Sequence, residues 1–270
     1  MLFLYFIIYG QTKKRKKRNY KPMDFTIRLA NKNILIHSVY SSIYNLCKDY
    51  LSTDVTKPDF EIHSDDNQVT VEYERIREID ESITSLQSAE RLLIQRKIAE
   101  SLINFDTLLM HGAVIAVDNN AHMFTARSGT GKTTQIKKWL ANIEGSVVVN
   151  GDKPFVILNE NGVFACGTPW CGKENMGNNL IVPLRSIVLM QRSNENRIEK
   201  ASIRNVFPSL IEQTYQPMDV DLQRKTLALL TRLNKQVDLY TFYFDHYKKD
   251  SFKVPYEALT NKVWDISNNE

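Results

Sequence analysis

Cysteine, long apolar runs and spread-out positive charge are what this 270-residue chain has little of. Its three cysteines, Cys47, Cys166 and Cys171, are too few for a disulfide framework. Cys166 and Cys171 stand close together, but no fitting histidine or further cysteine completes a zinc site. Reduced thiols in a cytoplasmic protein are the expectation. No apolar run is long enough to span a bilayer. The first, Leu2 to Tyr9, is followed by its basic cluster, the reverse of the order in a secretory signal. An apolar run beside such a cluster could hold a chain at a membrane surface. The preferred expectation is a disordered extension over residues 1–22, with Met23 opening the folded part. Those 22 residues hold seven Lys and Arg (Lys13, Lys14, Arg15, Lys16, Lys17, Arg18, Lys21) and no acid. Without the seven, the formal net charge of +4 becomes −3. The body is mildly acidic, which argues against nucleic acid as a general partner.

What is present is an ordinary globular composition. Hydrophobic residues make up 43% and charged residues 24%, enough for a sizeable core. From Met23 the pattern is mostly β. Phe25, Ile27 and Leu29 alternate, as do Phe60 and Ile62, then Val69, Val71 and Tyr73. A helical spacing over 40–51 lies between them, giving a small α+β lobe over residues 23–84. His37 and His63 read there as lone structural or surface histidines. A helix follows over about 85–105, with Thr84 and Gln87 resembling a capping box. Next come an apolar strand over 108–117, the turn Asp118-Asn119-Asn120, and a returning strand over 121–126.

The returning strand runs into Ala126-Arg127-Ser128-Gly129-Thr130-Gly131-Lys132-Thr133-Thr134, a phosphate-binding pattern whose first glycine is replaced by Ala126. Gly129 and Gly131 let successive N–H groups point into one concavity. Lys132 adds a fixed positive charge, and Thr133 offers a hydroxyl to a magnesium ion. An amphipathic helix over about 133–143 aims its positive end at the same point. Ser128, Gly129, Thr130, Gly131, Lys132, Thr133 and Thr134 are the expected nucleotide contacts. Beyond it, a strand at 146–149 leads to Gly151-Asp152. A hairpin is expected at 155–165, a core strand at 182–190, helices over 201–234, a strand at 239–244 and a closing helix over 255–266.

His111-Gly112-Ala113-Val114, the hairpin and Ser128-Gly129-Thr130-Gly131-Lys132-Thr133 together resemble the HPr kinase/phosphorylase family and the related phosphoenolpyruvate carboxykinases. The resemblance implies an α/β fold with a carboxykinase-like mixed sheet, whose β-hairpin leads into the phosphate loop. With the N-terminal lobe, that makes residues 85–270 a kinase domain. It implies ATP and Mg2+ as cofactors. It also implies catalytic roles for His111, Asp152 and Lys132, and metal ligands at Thr133, Asp152 and Glu174. Arg185 stands where it either faces the nucleotide, as in related folds, or faces solvent. Two departures are visible. The first acid of the family's Asp-Asp pair is Gly151, and the segment from Cys166 to Asn175 replaces the family's glycine-rich E-I-R-G-L-G.

The expected reaction moves the γ-phosphate of ATP to a hydroxyl, a serine on a protein or peptide. Two alternatives stay open: a kinase for a small molecule such as a free amino acid, and a nucleotide-binding regulator that lost catalysis with its first aspartate. The acceptor is unnamed, and homo-oligomerisation is left open.

Overall fold

The computed structural model describes residues 22–53, 57–80, 83–245 and 247–264. The expectation of a disordered or membrane-bound start therefore lies outside the described residues, apart from Pro22. Among the described residues no helix is long and apolar enough to cross a membrane.

The chain opens with β1 (Met23–Leu29) and β2 (Lys32–Ser38), an antiparallel pair. After α1 (Ser41–Leu46) and a single 3-10 turn, β3 (Phe60–His63) joins β2 in parallel. Ile34, Ile36 and Ile62 point inward while their neighbours meet solvent, the alternation of a half-buried sheet. The expected strand over 69–73 is instead part of α2 (Asp66–Arg77). Asp65 caps it by accepting from the Gln68 N–H at 2.9 Å. Val69, Glu72 and Ile76 are its buried stripe, and Val71 is exposed. The helical period of that stripe overrides the β-branched alternation.

The long helix α3 (Leu86–Ile103) is capped by Ser85, which accepts from the Ser88 N–H, one residue later than expected. Its Ile94, Ile98 and Leu102 form one apolar cluster with Ile27, Ile34 and Ile36 of the first sheet and Leu109, Phe155 and Ile157 of the second.

The strand expected over 108–117 is not one strand but two. β4 (Thr107–Leu109) and β5 (Ala113–Val117) pair with different partners. β5 turns into β6 (Asn120–Thr125) through Asp118 and Asn119, at φ 49° and 57°. Positive φ at both central residues is what a two-residue hairpin turn demands. α4 (Lys132–Asn142) and β7 (Val147–Asn150) follow, then the hairpin β8 (Phe155–Asn159) and β9 (Gly162–Cys166). β10 (Ile181–Arg192) is the longest strand. β11 (Arg197–Lys200), which the sequence did not suggest, is followed by α5 (Ile203–Glu212), α6 (Val220–Leu233), β12 (Asp238–Phe244) and α7 (Lys253–Thr260). The closing helix ends short of the expected span, whose last two residues lie outside the described ones.

The fold is thus mixed α/β. Nine strands form a mixed sheet in the order β4-β8-β9-β10-β6-β5-β7, with β12 beside β10 and β11 beside β12. β10 holds it together. Its first residues pair antiparallel with β9, and the rest run parallel to β6 and β12. One face packs on α5 and α6 and the other on α4 and α7. β5 serves both layers, with Val114 and Ala116 on one side and Ala113, Ile115 and Val117 on the other.

Candidate functional site

Strand direction decides which residues can meet. β6 and β10 run parallel, and β5 is antiparallel to both β6 and β7. The carboxyl ends of β6, β7 and β10 therefore share one edge of the sheet with the start of β5. Open α/β sheets bind ligands at the carboxyl ends of their strands. Here that edge carries His111, the loop 126–131, Asn150-Gly151-Asp152 and Arg192.

The loop is held open by two glycines in conformations other residues avoid, Gly129 at φ 75° and Gly131 at φ 126°. Gly131 is the N-cap of α4 and supplies no side-chain hydrogen bond, whereas Asp65, Ser85 and Asp219 cap α2, α3 and α6. The first-turn N–H groups of α4 are left for a ligand. Lys132 is 7% exposed, and its ammonium folds back onto the loop, donating to Ala126 O at 2.8 Å and Arg127 O at 3.4 Å. Burial pushes its pKa down to about 8, partly opposed by the negative charge of Asp152. The loop therefore stores a cation whose partners are only carbonyl oxygens, and an anion would serve it better.

His111 and Asp152 face each other across the strand ends, with Nε2 3.4 Å from Oδ1. His111 is fixed from several sides. Its Nδ1 lies 2.8 Å from Gln213 Oε1, its N–H donates to Gln213 O at 2.7 Å, and its carbonyl accepts from Thr125 Oγ1 at 2.8 Å. Burial raises the pKa of Asp152, but the hydrogen bond from His111 and the charge of Lys153 outweigh it and hold the carboxyl below its ordinary value. Asp152 is oriented by Asn150, which is fully buried. The Asn150 Oδ1 accepts from the Asp152 and Lys153 N–H groups at 2.8 and 2.7 Å, while its Nδ2 donates to Thr168.

Gly151, beside Asp152, stands in a crowded position. A side chain there would meet the carbonyl oxygens of Cys171 and Met176 at 3.0 Å each. The segment 171–177 fills the space a side chain at 151 would take, and its two carbonyl oxygens make that space unfavourable for an acid. That segment also carries Glu174, whose carboxylate goes to Lys137 on α4 at 2.5 Å. Both side chains of that pair are about half exposed.

Arg185 is not brought to the loop. It is the extra residue of a β-bulge, since Leu184 pairs with Ala121 and Ser186 with His122. Its Nε donates to Asn120 Oδ1 at 2.7 Å, at the hairpin-turn end of β6. The arginine at the loop end is Arg192, whose Nη2 donates to Gly129 O at 2.7 Å.

No family model matches this chain, and no curated protein does either. Among solved structures it is similar to the structure of the Hpr(Ser) kinase/phosphatase from Coxiella burnetii, at 9% identity and a TM-score of 0.32. That match covers 57% of this chain and 93% of the other. A likeness at that score carries no functional weight.

Three residues of the site were missed in the sequence: Asn150, Arg192 and Gln213. Asn150 had a local signal, because Asn before Gly favours a turn in which the side chain caps the next N–H groups. Arg192 and Gln213 had none, because their partners lie far away in sequence.

Proposed function

We propose that this chain binds ATP with Mg2+ at the loop 126–134 and transfers the γ-phosphate to a hydroxyl, a serine on a protein or peptide. The observation that carries the proposal is the shared strand edge. There a desolvated Lys132, an uncapped helix start and the ionised Asp152 paired to His111 all converge. Phosphoryl transfer needs charge neutralisation and alignment more than covalent help, and these groups supply both.

Lys132 leaves its carbonyl partners for the β- and γ-phosphate oxygens. The N–H groups of the loop and of the first turn of α4 hold the rest of the triphosphate. The Thr133 hydroxyl and the Asp152 carboxylate are oxygen donors of the kind a hard cation takes. A bound Mg2+ would neutralise negative charge on the triphosphate. The acceptor oxygen forms its bond to the γ-phosphorus as the bond to the β,γ-bridging oxygen breaks. The acceptor proton passes to the Asp152–His111 pair. Arg192 pins Gly129 and keeps the loop in its phosphate-ready shape.

The crowding at Gly151 favours a second reading, in which the chain binds nucleotide without transferring phosphate. Incubating the full chain with γ-labelled ATP and Mg2+, together with serine-containing peptides and free hydroxy amino acids, separates the two. Label on a peptide supports the proposal, and label on a free amino acid moves the acceptor to small molecules. ATP binding with neither transfer nor hydrolysis establishes the regulator. Absence of ATP binding overturns both.

A further inference from the structure

The N-terminal sheet carries a cluster that the nucleotide site does not use. β2 and β3 run parallel with His37 opposite His63, and Asp24 on β1 lies opposite His37. Strand alternation puts Glu61 on the same face as His63. One donor atom from each of His37, Glu61 and His63 lies within 4.8 Å of the others. Glu61 Oε2 is 3.7 Å from His37 Nε2 and 3.3 Å from His63 Nε2. Donor atoms at about 2.1 Å around a tetrahedral zinc ion stand about 3.4 Å apart, so both separations are near what one ion requires.

The hydrogen bonding fits at His37, whereas His63 Nε2 donates to Glu61 Oε2 at 3.3 Å and gives up that proton on binding an ion. His37 Nδ1 donates to Asp24 Oδ1 at 2.8 Å. In the neutral ring that places the proton on Nδ1 and leaves the Nε2 lone pair, on the side of Glu61, for an ion. The Nε2 atom is buried and has no hydrogen-bond partner among the described residues. A carboxylate on the far nitrogen of an imidazole is how metal-bound histidines are commonly oriented. The two rings are stacked, with centroids 4.1 Å apart and planes 6° apart. Capture of an ion needs them to tilt toward it about the Cβ–Cγ bond, a broad torsion.

We propose that His37 Nε2, the Glu61 carboxylate and His63 Nε2 bind one divalent transition-metal ion of the zinc type. The remaining coordination position is open to water or a ligand. Two imidazoles with one carboxylate favour zinc, cobalt or nickel over magnesium or calcium. The ion ties β2 to β3 and stabilises the first sheet, because it binds the folded chain and not the unfolded one. This site is independent of the nucleotide reading.

The test is calorimetric titration of ZnCl2 into the full chain without a polyhistidine tag, with Co2+ absorption as a reporter of geometry. One ion per chain is expected. His63→Ala and Glu61→Gln should each weaken it at least about tenfold, and Asp24→Asn about tenfold or more. Zinc should raise the thermal midpoint of the wild type and not of His63→Ala. The His63 side chain is 62% exposed, so its removal spares the fold, and Glu61→Gln keeps the shape of the cluster. No zinc binding up to about 1 mM overturns the proposal. So does binding that survives both variants, or binding lost in His111→Ala instead.

Discussion

Arg185 and Arg192 lie on the same strand, yet they serve opposite ends of it. Arg185 sits in a bulge beside the hairpin turn and binds Asn120. Arg192 lies at the carboxyl end and holds Gly129. The two ends of the β6–β10 pair differ in the same way throughout. At the turn end, His122 is buried between strand and helix. Its Nδ1 is 2.9 Å from Ser186 Oγ and its ring is tilted against Trp139. Burial, and then the charge of Arg185, push its pKa down to about 4. At the loop end, His111 faces an ionised carboxylate, and a lysine is stripped of water. One end is built to keep a histidine neutral in a packed interior. The other gathers charge around a gap.

That contrast can be broken experimentally. The largest effect belongs to Asp152→Asn, which keeps the volume and removes the charge. Phosphoryl transfer should fall about 10²–10⁴-fold while ATP affinity changes far less. Equal turnover would move the chemistry off this residue. Next comes the pH response of Lys132. Its pKa in the free chain is lowered to about 8, so the cation is complete below that value and lost above it. ATP affinity should hold from pH 6.5 to 7.5 and fall by up to about tenfold per unit above pH 8. A flat profile to pH 9.5 would deny the lysine its role.

The turn end gives a smaller effect, on stability instead of binding. The folded pKa of His122 lies below its unfolded value, so the stability it contributes is complete above about pH 6.5. That stability is lost as pH falls through 4, by up to roughly 2–3 kcal/mol. Urea unfolding at pH 7 and pH 4.5 should show a smaller drop for His122→Gln than for the wild type. An unchanged drop would assign the acid sensitivity elsewhere. The smallest effect separates the arginines themselves. Arg192→Ala should weaken ATP about 3- to 10-fold, because an exposed contact is worth about 1 kcal/mol, and Arg185→Ala should leave affinity unchanged. The reverse order would invert the assignment of the two ends.

Much of this was legible in the chain, wherever the signal was local. Asp118-Asn119 marked the hairpin because both residues tolerate positive φ, and Gly129 and Gly131 marked the loop for the same reason. The amphipathic repeat of Ile136, Trp139 and Ile143 marked α4. The misreadings were competitions between periods or between distant partners. Val69, Val71 and Tyr73 alternate like a strand, but the cap at Asp65 and the stripe Val69, Glu72, Ile76 win. The apolar run 108–117 hid a break, because β4 and β5 are both buried on both faces and show no alternation. Arg185 was named and Arg192 was not, since no local pattern reveals which end of a strand meets the loop. His37 and His63 read as lone residues because only the parallel pairing of β2 with β3 brings them together.

The measurement that tests the central claim most directly is calorimetric titration of MgATP into the full chain and into its Lys132→Ala variant. One site per chain is predicted for the wild type, weakened more than about 100-fold in the variant, as loss of several charge-assisted hydrogen bonds requires. Equal affinity in the two proteins, or no binding to the wild type, would contradict the assignment of the loop as a nucleotide site.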